Sequence, residues 1–454
     1  MRNLILLPLL LIAFQVKSQD VPKSELIEKP KTLTLKEAVT YALENKAEAQ
    51  KAKLKVENSE YQIQEVRSRA LPQIAINNSL GYNPILQTSL LDGGAFGNPG
   101  NLIQAAFGQP WMATTGISLN QALFDQTVFT GLKAAKSTRE FYQINQQLTD
   151  EQVIERVANN YYQIYVLRQK LVFLNANFEN TLKVKTIIKG QYENGLAKKI
   201  DLDRINVRLA NINTLRLQLA NSVELQKNAL KFYIGMPIVN QIELPETTFE
   251  VTPQVLSEAP NTSTRNEYLL LQKQEQLLDY QKQSVKAGYY PSLSLSAGYN
   301  YLGQGKEMPF GAKPKDGVYW SDYSSIGLNL RVPLFTGFGI RAKVRQAEND
   351  LKSIKADLSD TKLALDLAYA NAKTQIENSI ITIKNQKENT QLAQDVLENT
   401  NNNYKQGLAS LTDLLDAENA FLEAQNNYTS AILEYKLAEI QLIKSKGELK
   451  TLAN

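Results

Sequence analysis

Residues 116–125 read GISLNQALFD, and residues 327–336 read GLNLRVPLFT. The glycine, the alternating leucine at Leu119 or Leu330, and the pair Leu123-Phe124 or Leu334-Phe335 fall at matching places. A second pair of motifs lies further along: Tyr192-x-x-Gly195-Leu196 ahead of Asp201, and Tyr404-x-x-Gly407-Leu408 ahead of Asp413. The first pair is offset by 211 residues and the second by 212, so a register shift of one residue relates the two halves. The chain is a duplication, and its unit is far longer than a solenoid repeat. Each unit reads as helix, strand, long loop, strand, very long helix, glycine turn and returning helix, a mixed α and β fold.

Proline marks the boundaries. None of the 15 prolines falls between Trp111 and Met236 before Pro237, or after Pro333. The first repeat is expected over 19–235, with strands at about 72–86 and 112–125, a long helix at about 126–190 and a returning helix at about 199–234. A connector follows at 236–264, and the second repeat fills 265–454. Its strands are expected at about 291–303 and 318–335, its long helix at about 338–403 and its returning helix at about 411–447. Helices of more than about sixty residues would reach on the order of 95 Å, lengths that coiled coils reach and globular cores rarely do.

Apolar spacing supports that reading. Leu414, Ala417, Phe421, Ala424, Tyr428, Ala431, Tyr435, Ala438 and Leu442 recur every three or four residues, with bulky side chains alternating with alanine. Knobs on one helix can then enter holes on a neighbour. Leu202, Ile205, Leu209, Ile212, Leu219 and Val223 keep a looser version in the first half, with Ile164, Leu167, Leu171, Leu174 and Phe178 on its outgoing helix. One such stripe alone would suit an ordinary bundle core, but four long helices in duplicated order favour extended coiled-coil packing.

The strands alternate instead of running apolar. Leu293, Leu295, Ala297, Tyr299 and Tyr301 face one way, and Ser292, Ser294, Ser296, Gly298 and Asn300 the other. Ile74, Ile76, Leu80 and Tyr82 repeat the pattern, although Asn78 interrupts it. A soluble sandwich gives this alternation with the apolar side inward, a membrane barrel with that side toward lipid. Small, uncharged residues on the polar side favour the barrel, as do Trp111 and Trp320, which extend the apolar parity at the strand ends where interfacial girdles sit. The glycine-rich segments 91–109 and 303–317 read as exposed loops. Four strands cannot close a barrel, and lipid tolerates no open edge, so the pattern demands an oligomer. Two chains would give eight strands and a filled interior, and three would give twelve with room for a passage.

Composition excludes much else. Arg2, the apolar run 4–14 and Val16-Lys17-Ser18 have the makeup of a secretory signal over 1–18, and its removal takes the formal charge from +4 to +2. Such a mild charge argues against nucleic acid as a partner. Histidine and cysteine are both absent, which removes thiol nucleophiles, imidazole bases and zinc sites. No phosphate-loop or nucleophile-elbow spacing is present. An enzyme is not expected, and neither is a cofactor or a metal.

Taken together, the duplicated order, Val332-Pro333-Leu334-Phe335-Thr336-Gly337 followed by Arg341-Ala342-x-x-Arg345-Gln346-Ala347, and the Tyr-x-x-Gly turn leading to Asp413-Leu414-Leu415-Asp416-Ala417 resemble the outer-membrane efflux protein family, the TolC-like channels. The resemblance spans Thr32 to about Leu449. It implies a homotrimer with a 12-stranded barrel in outer-membrane lipid, continued by a long α-helical coiled-coil barrel through the periplasm. The connector would join an equatorial belt. Partners would be an inner-membrane pump or transporter and a periplasmic adaptor (membrane fusion) protein, with the duct conducting passively. Carried over position by position, the periplasmic tip turns that would meet the adaptor are Gly195, Leu196, Gly407 and Leu408. Tyr404 also belongs to the tip, and Asp413 and Asp416 become candidates for an acidic ring at the constriction, with Asp201 as the first-repeat counterpart of Asp413. Where some relatives carry a latching arginine this chain has Ala409, with Lys198 and Lys199 in the other turn as possible substitutes. Each site has a plainer reading: Asp413 three residues after Ser410 has the spacing of a capping box, and the two glycines that of left-handed helix caps. The alternative for the whole chain is a secreted periplasmic coiled-coil scaffold without a pore.

Overall fold

The computed structural model describes residues 31–92, 94, 102–246, 261–310 and 317–453. The expected signal segment, part of the connector and parts of both loops lie outside the described residues. In chain order the elements of the first half are β1 (Lys31–Thr32), α1 (Leu35–Asn45), α2 (Ala47–Ser68), β2 (Gln73–Tyr82), β3 (Thr88–Asp92), β4 (Leu102–Ala106), β5 (Trp111–Phe124), α3 (Gln126–Glu193) and α4 (Lys199–Ile234). After β6 (Ile242–Glu243) come α5 (Asn266–Ala287), β7 (Ser292–Gly305), β8 (Val318–Arg331), α6 (Gly339–Lys405) and α7 (Leu411–Lys446).

Absence of proline lets α3 and α6 run unbroken for 68 and 67 residues, each about 100 Å long. They carry the chain past two successive layers. At one end the strands pair in the order β2-β5-β7-β8, antiparallel throughout. Beneath the sheet, α2, α3, α5 and α6 pack side by side in the same order, and further down the order is α4, α3, α7 and α6. Away from mid-height each layer is one element thick among the described residues, and its two edges are open.

The thickest core lies at mid-height. There α1 packs on the middle of α3, and both returning helices end at left-handed glycines, Gly235 and Gly447. Leu33, Val39, Ile154, Leu230, Ile234 and Ile440 are almost wholly buried in it. The short parallel pair β1–β6 closes over this core, and the Tyr161 hydroxyl donates to the Leu33 carbonyl at 3.2 Å. Below it, Tyr369, Ala372, Ile376 and Ile383 of α6 meet Ala431, Tyr435, Ala438 and Leu442 of α7. The alternation of bulky residues and alanine is thus realised as knobs in holes.

Three details depart from the sequence reading. β2 stops at Tyr82 and β8 at Arg331, each two residues before a proline, Pro84 and Pro333, which has no N–H for a ladder. The segment 91–109 is not wholly loop, because β3 and β4 pair as a hairpin. Five-residue strands flanked by glycine are too short for alternation to stand out. No described helix is long and apolar enough to cross a membrane.

Candidate functional site

The tip of the helical part is built from two matching turns. At the end of α3, the Leu196 N–H donates to the Gln191 carbonyl at 2.8 Å and the Gly195 N–H to that of Tyr192 at 3.0 Å. At the end of α6, the Leu408 N–H donates to Asn403 at 2.9 Å and the Gly407 N–H to Tyr404 at 3.0 Å. These are paired Schellman closures, made possible by glycine at φ 73° and 76°. They leave Leu196 81 % and Leu408 74 % exposed, two apolar side chains pointing off the end of the molecule. Just above, Ile188, Ile205 and Leu411 are buried together, with Val184, Leu202, Tyr404 and Leu415 packed around them. The two hairpins are therefore clamped to each other, and Arg204 adds a hydrogen bond of 3.2 Å to the Thr412 hydroxyl.

The candidate carboxylates divide between these turns. Asp413 sits in the first turn of α7, where its Oδ2 accepts from the Ser410 N–H at 2.8 Å and the Ser410 hydroxyl at 2.7 Å. The Asp413 N–H donates back to Ser410 Oγ at 3.2 Å, completing a capping box. The Ser410 hydrogen bonds hold the Asp413 carboxyl below the usual carboxylate range. Asp413 is nonetheless exposed, as is Asp416 one turn on. Asp201 is half-buried in the first turn of α4. Burial raises the Tyr404 hydroxyl pKa, and the nearby Asp201 charge raises it further. Asp201 and Tyr404 thus share one neighbourhood, while Asp413 and Asp416 are solvent-facing on a separate helix.

Sequence reasoning missed a polar cluster above the tip. Glu418 is 5 % exposed on the α7 seam and accepts from the Thr181 hydroxyl of α3 at 3.4 Å. Burial raises its carboxyl pKa, partly offset by the Arg208 charge from α4 and the Thr181 hydrogen bond. Burial likewise lowers the Arg208 pKa, and Arg208 leaves Nε and Nη2 without hydrogen-bond partners. The one available signal was a glutamate next to the seam residue Ala417, a position where charge usually marks a solvated face.

At the other end, register brings the apolar parities of all four strands onto one face of the sheet. Ile74 pairs with Leu119, Ile76 with Ile117, Leu119 with Ala297, and Leu295 with Leu328. Ile74, Ile76, Ile326, Leu328 and Leu330 are each at least 66 % exposed. Among the described residues no helix makes an extended contact with the sheet, and this apolar surface lies bare. At the loop-proximal end of the same face stands an aromatic row. Tyr82 and Trp111 have ring centroids 4.5 Å apart, and Tyr301 stacks on Trp320 at 4.9 Å. The opposite face carries polar contacts such as the Asn77 amide donating to the Ser118 hydroxyl at 2.9 Å and Asn329 donating to Ser296 at 3.1 Å.

Comparison with known proteins agrees with this geometry. The profile of the outer membrane efflux protein family matches residues 38–236 and 269–448, most of both repeats. The chain is 24 % identical over 395 residues to the outer membrane protein TolC of Vibrio cholerae, covering 84 % of this chain and 83 % of that one. It is 23 % identical over 335 residues to the alkaline protease secretion protein AprF of Pseudomonas aeruginosa, covering 72 % and 68 %. The open state of the MtrE outer membrane channel of Neisseria gonorrhoeae superposes with a TM-score of 0.72 at 17 % identity, covering 97 % of this chain and 99 % of that one.

Proposed function

The chain belongs to the outer membrane efflux protein family, and on that premise we propose that three copies assemble into one duct, twelve strands closing a barrel and the long helices continuing it as a coiled-coil tube. The protein is an outer-membrane channel of a tripartite efflux or secretion system, with its helical part in the periplasm. An inner-membrane pump and a periplasmic adaptor supply the energy and the cargo, and the duct itself conducts passively.

The observation that carries this reading is the bare sheet. Its four strands end in two edges, β2 and β8, and among the described residues nothing pairs with those edges or covers its apolar face. Lipid can cover that face, but it cannot satisfy the backbone of an edge. Pairing β8 of one copy with β2 of the next removes both edges. The helical layers support the same arrangement, because their free edges are apolar. Leu363, Leu367, Leu392 and Val396 of α6 are each at least 54 % exposed, as are Leu54 and Tyr61 of α2.

At the periplasmic end, Asp413 and Asp416 of each copy are the proposed acidic ring, Tyr404 and Asp201 its neighbours, and Gly195, Leu196, Gly407 and Leu408 the surface offered to the adaptor. Capping does not compete with the ring, since Asp413 caps through Oδ2 while remaining exposed. Six carboxylates about one axis would draw cations in and repel anions, and polyvalent cations would plug the tip through oxygen ligation. In planar-bilayer recordings the double change Asp413→Asn with Asp416→Asn should weaken that block and lower cation preference. Unchanged block and selectivity would reduce both residues to structural roles. Failure of the wild-type protein to conduct at all, or its release from envelopes by carbonate without detergent, would contradict the channel itself.

A further inference from the structure

The groove between α5 and α6 changes character along its length. In its lower part, a cavity of about 510 Å³ is lined by charges that find partners. Lys273 pairs with Glu140 at 2.7 Å, Lys282 with Asp279 at 2.8 Å, and Lys355 with Glu275 at 3.7 Å. In its upper part, where the groove meets the sheet, a second cavity of about 510 Å³ is lined by Lys286, Tyr289, Tyr290, Arg341, Arg345 and Glu348. None of its three cations lies within ion-pair distance of a carboxylate among the described residues. Three exposed positive charges converge there with Glu348 the one acid in the lining, and Asp279 of α5 lies near enough to feel the Lys286 charge.

Helix stability does not account for them. Arg341 and Arg345 stand in the first two turns of α6, whose first turn holds no acidic residue. Cations at a helix N-terminus oppose the macrodipole, whereas an anion there is favoured. An anion seated in the groove would satisfy the cations and the helix end together.

Position identifies the anion. Tyr290 precedes the start of β7 by two residues, at the end of the sheet away from the Trp111 and Trp320 row. Tyr289 and Tyr290 are 49 % and 56 % exposed at the lower end of the sheet, the level at which a second aromatic belt would sit. On the far side of the arginines, Phe335 and Phe338 meet edge to face at 5.4 Å and are both exposed. Arg341 and Arg345 also line the hollow beside Phe338. Leu330, Val332 and Leu334 continue the apolar parity of β8 down to this rim, with Leu334 94 % exposed. A phosphate in the groove would sit at the level of that rim.

We infer that the upper α5–α6 groove binds the headgroup phosphate of an anionic phospholipid in the periplasmic leaflet, held by Lys286, Arg341 and Arg345, with its acyl chains lying against the apolar face of β7 and β8. The site goes beyond conduction but rests on the sheet being in a bilayer. Its work would be to fix the depth at which the barrel hands over to the helices.

The test is native mass spectrometry of the detergent-solubilised full chain, titrated in parallel with phosphatidylglycerol, with phosphatidylcholine of the same acyl chains, and with inorganic phosphate. Wild-type protein should hold phosphatidylglycerol about tenfold or more tighter than phosphatidylcholine. The variant Lys286→Gln, Arg341→Gln, Arg345→Gln should lose that preference, Arg341→Lys with Arg345→Lys should keep most of it, and Lys273→Gln in the paired stretch should leave it intact. Equal binding of the two lipids, or an unchanged preference in the triple glutamine variant, would overturn the site. Full competition by millimolar inorganic phosphate would also overturn it, by making the ligand a free anion. Conductance measured on the same preparations separates the readings: a conducting protein without lipid preference sinks this site alone, and one that never inserts sinks the channel.

Discussion

The two halves of the duplication are alike in the sheet and unlike in the helices. Each contributes two strands whose apolar parity falls on the same face, so Ile76 in β2 and Leu295 in β7 do equivalent work. Among the helices the equivalence fails. α3 packs against α2, α4, α5 and α7, whereas α6 packs chiefly against α5 and α7 and leaves a row of leucines exposed. The returning helices α4 and α7 are both 36 residues long and both end in a left-handed glycine. Yet α7 begins with a Ser410–Asp413 capping box, whereas Lys198 precedes α4 and gives it no side-chain cap. Duplication preserved the scaffold and freed its long helices for different places: α3 fills the centre of the protomer, and α6 lies at an edge.

The likeness in the sheet should survive the harshest test. Ile76→Arg and Leu295→Arg should each hinder membrane assembly more than Asn77→Arg and Ser294→Arg, because a charge in lipid near the midplane costs about 2–4 kcal/mol and the opposite face can hydrate it. Heat-resistant oligomer recovered from outer membranes measures this. Equal recovery of all four variants would overturn the facing, and a strong effect in one half alone would break the likeness.

The glycines that end α4 and α7 offer a smaller, asymmetric test. Both have φ near 78°, a conformation that costs a side chain about 1–2 kcal/mol. A Cβ on Gly235 would also lie 2.8 Å from the Asn45 carbonyl oxygen, a backbone atom at the α1–α2 break. On Gly447 it would meet only the Arg265 side chain, at 3.2 Å, and no backbone atom. Gly235→Ala should therefore lower the midpoint of thermal unfolding, followed by helical circular dichroism, further than Gly447→Ala. The reverse order would contradict the packing assigned to α1.

The caps give the smallest effect. Ser410→Ala should destabilise by about 1 kcal/mol, and Lys198→Ala should be close to neutral because it removes no cap. The folded Asp413 carboxyl is held below its ordinary value, so the cap's contribution is present at neutral pH and is lost as pH falls through that depressed value. The stability difference between wild type and Ser410→Ala should accordingly shrink in acid. A difference independent of pH would detach Asp413 from the cap.

What could be read beforehand follows the range of the interactions involved. The seam from Leu414 to Leu442 and the alternation of the strands are periodic, and periodicity survives in a linear chain. Proline-free tracts and glycine turns announced the long helices for the same local reason. The β3–β4 hairpin was lost among glycines. Arg208 and Glu418 act on each other's charge from helices in distant parts of the chain, and on one helix alone each is an ordinary charge. The groove of Lys286, Arg341 and Arg345 was hidden likewise: the two arginines stood out as a motif, but not the lysine and tyrosines that face them. For Asp413 the capping spacing was legible in the sequence, and the structure supplies the cap while leaving the carboxylate open to solvent.

A sheet of four strands is too small to close by itself. Multi-angle light scattering of the detergent-solubilised protein, with the detergent mass subtracted, measures the number of chains directly. Three chains per particle with intact β-structure is the predicted result. A stable monomer or dimer with the same β-structure would contradict the duct.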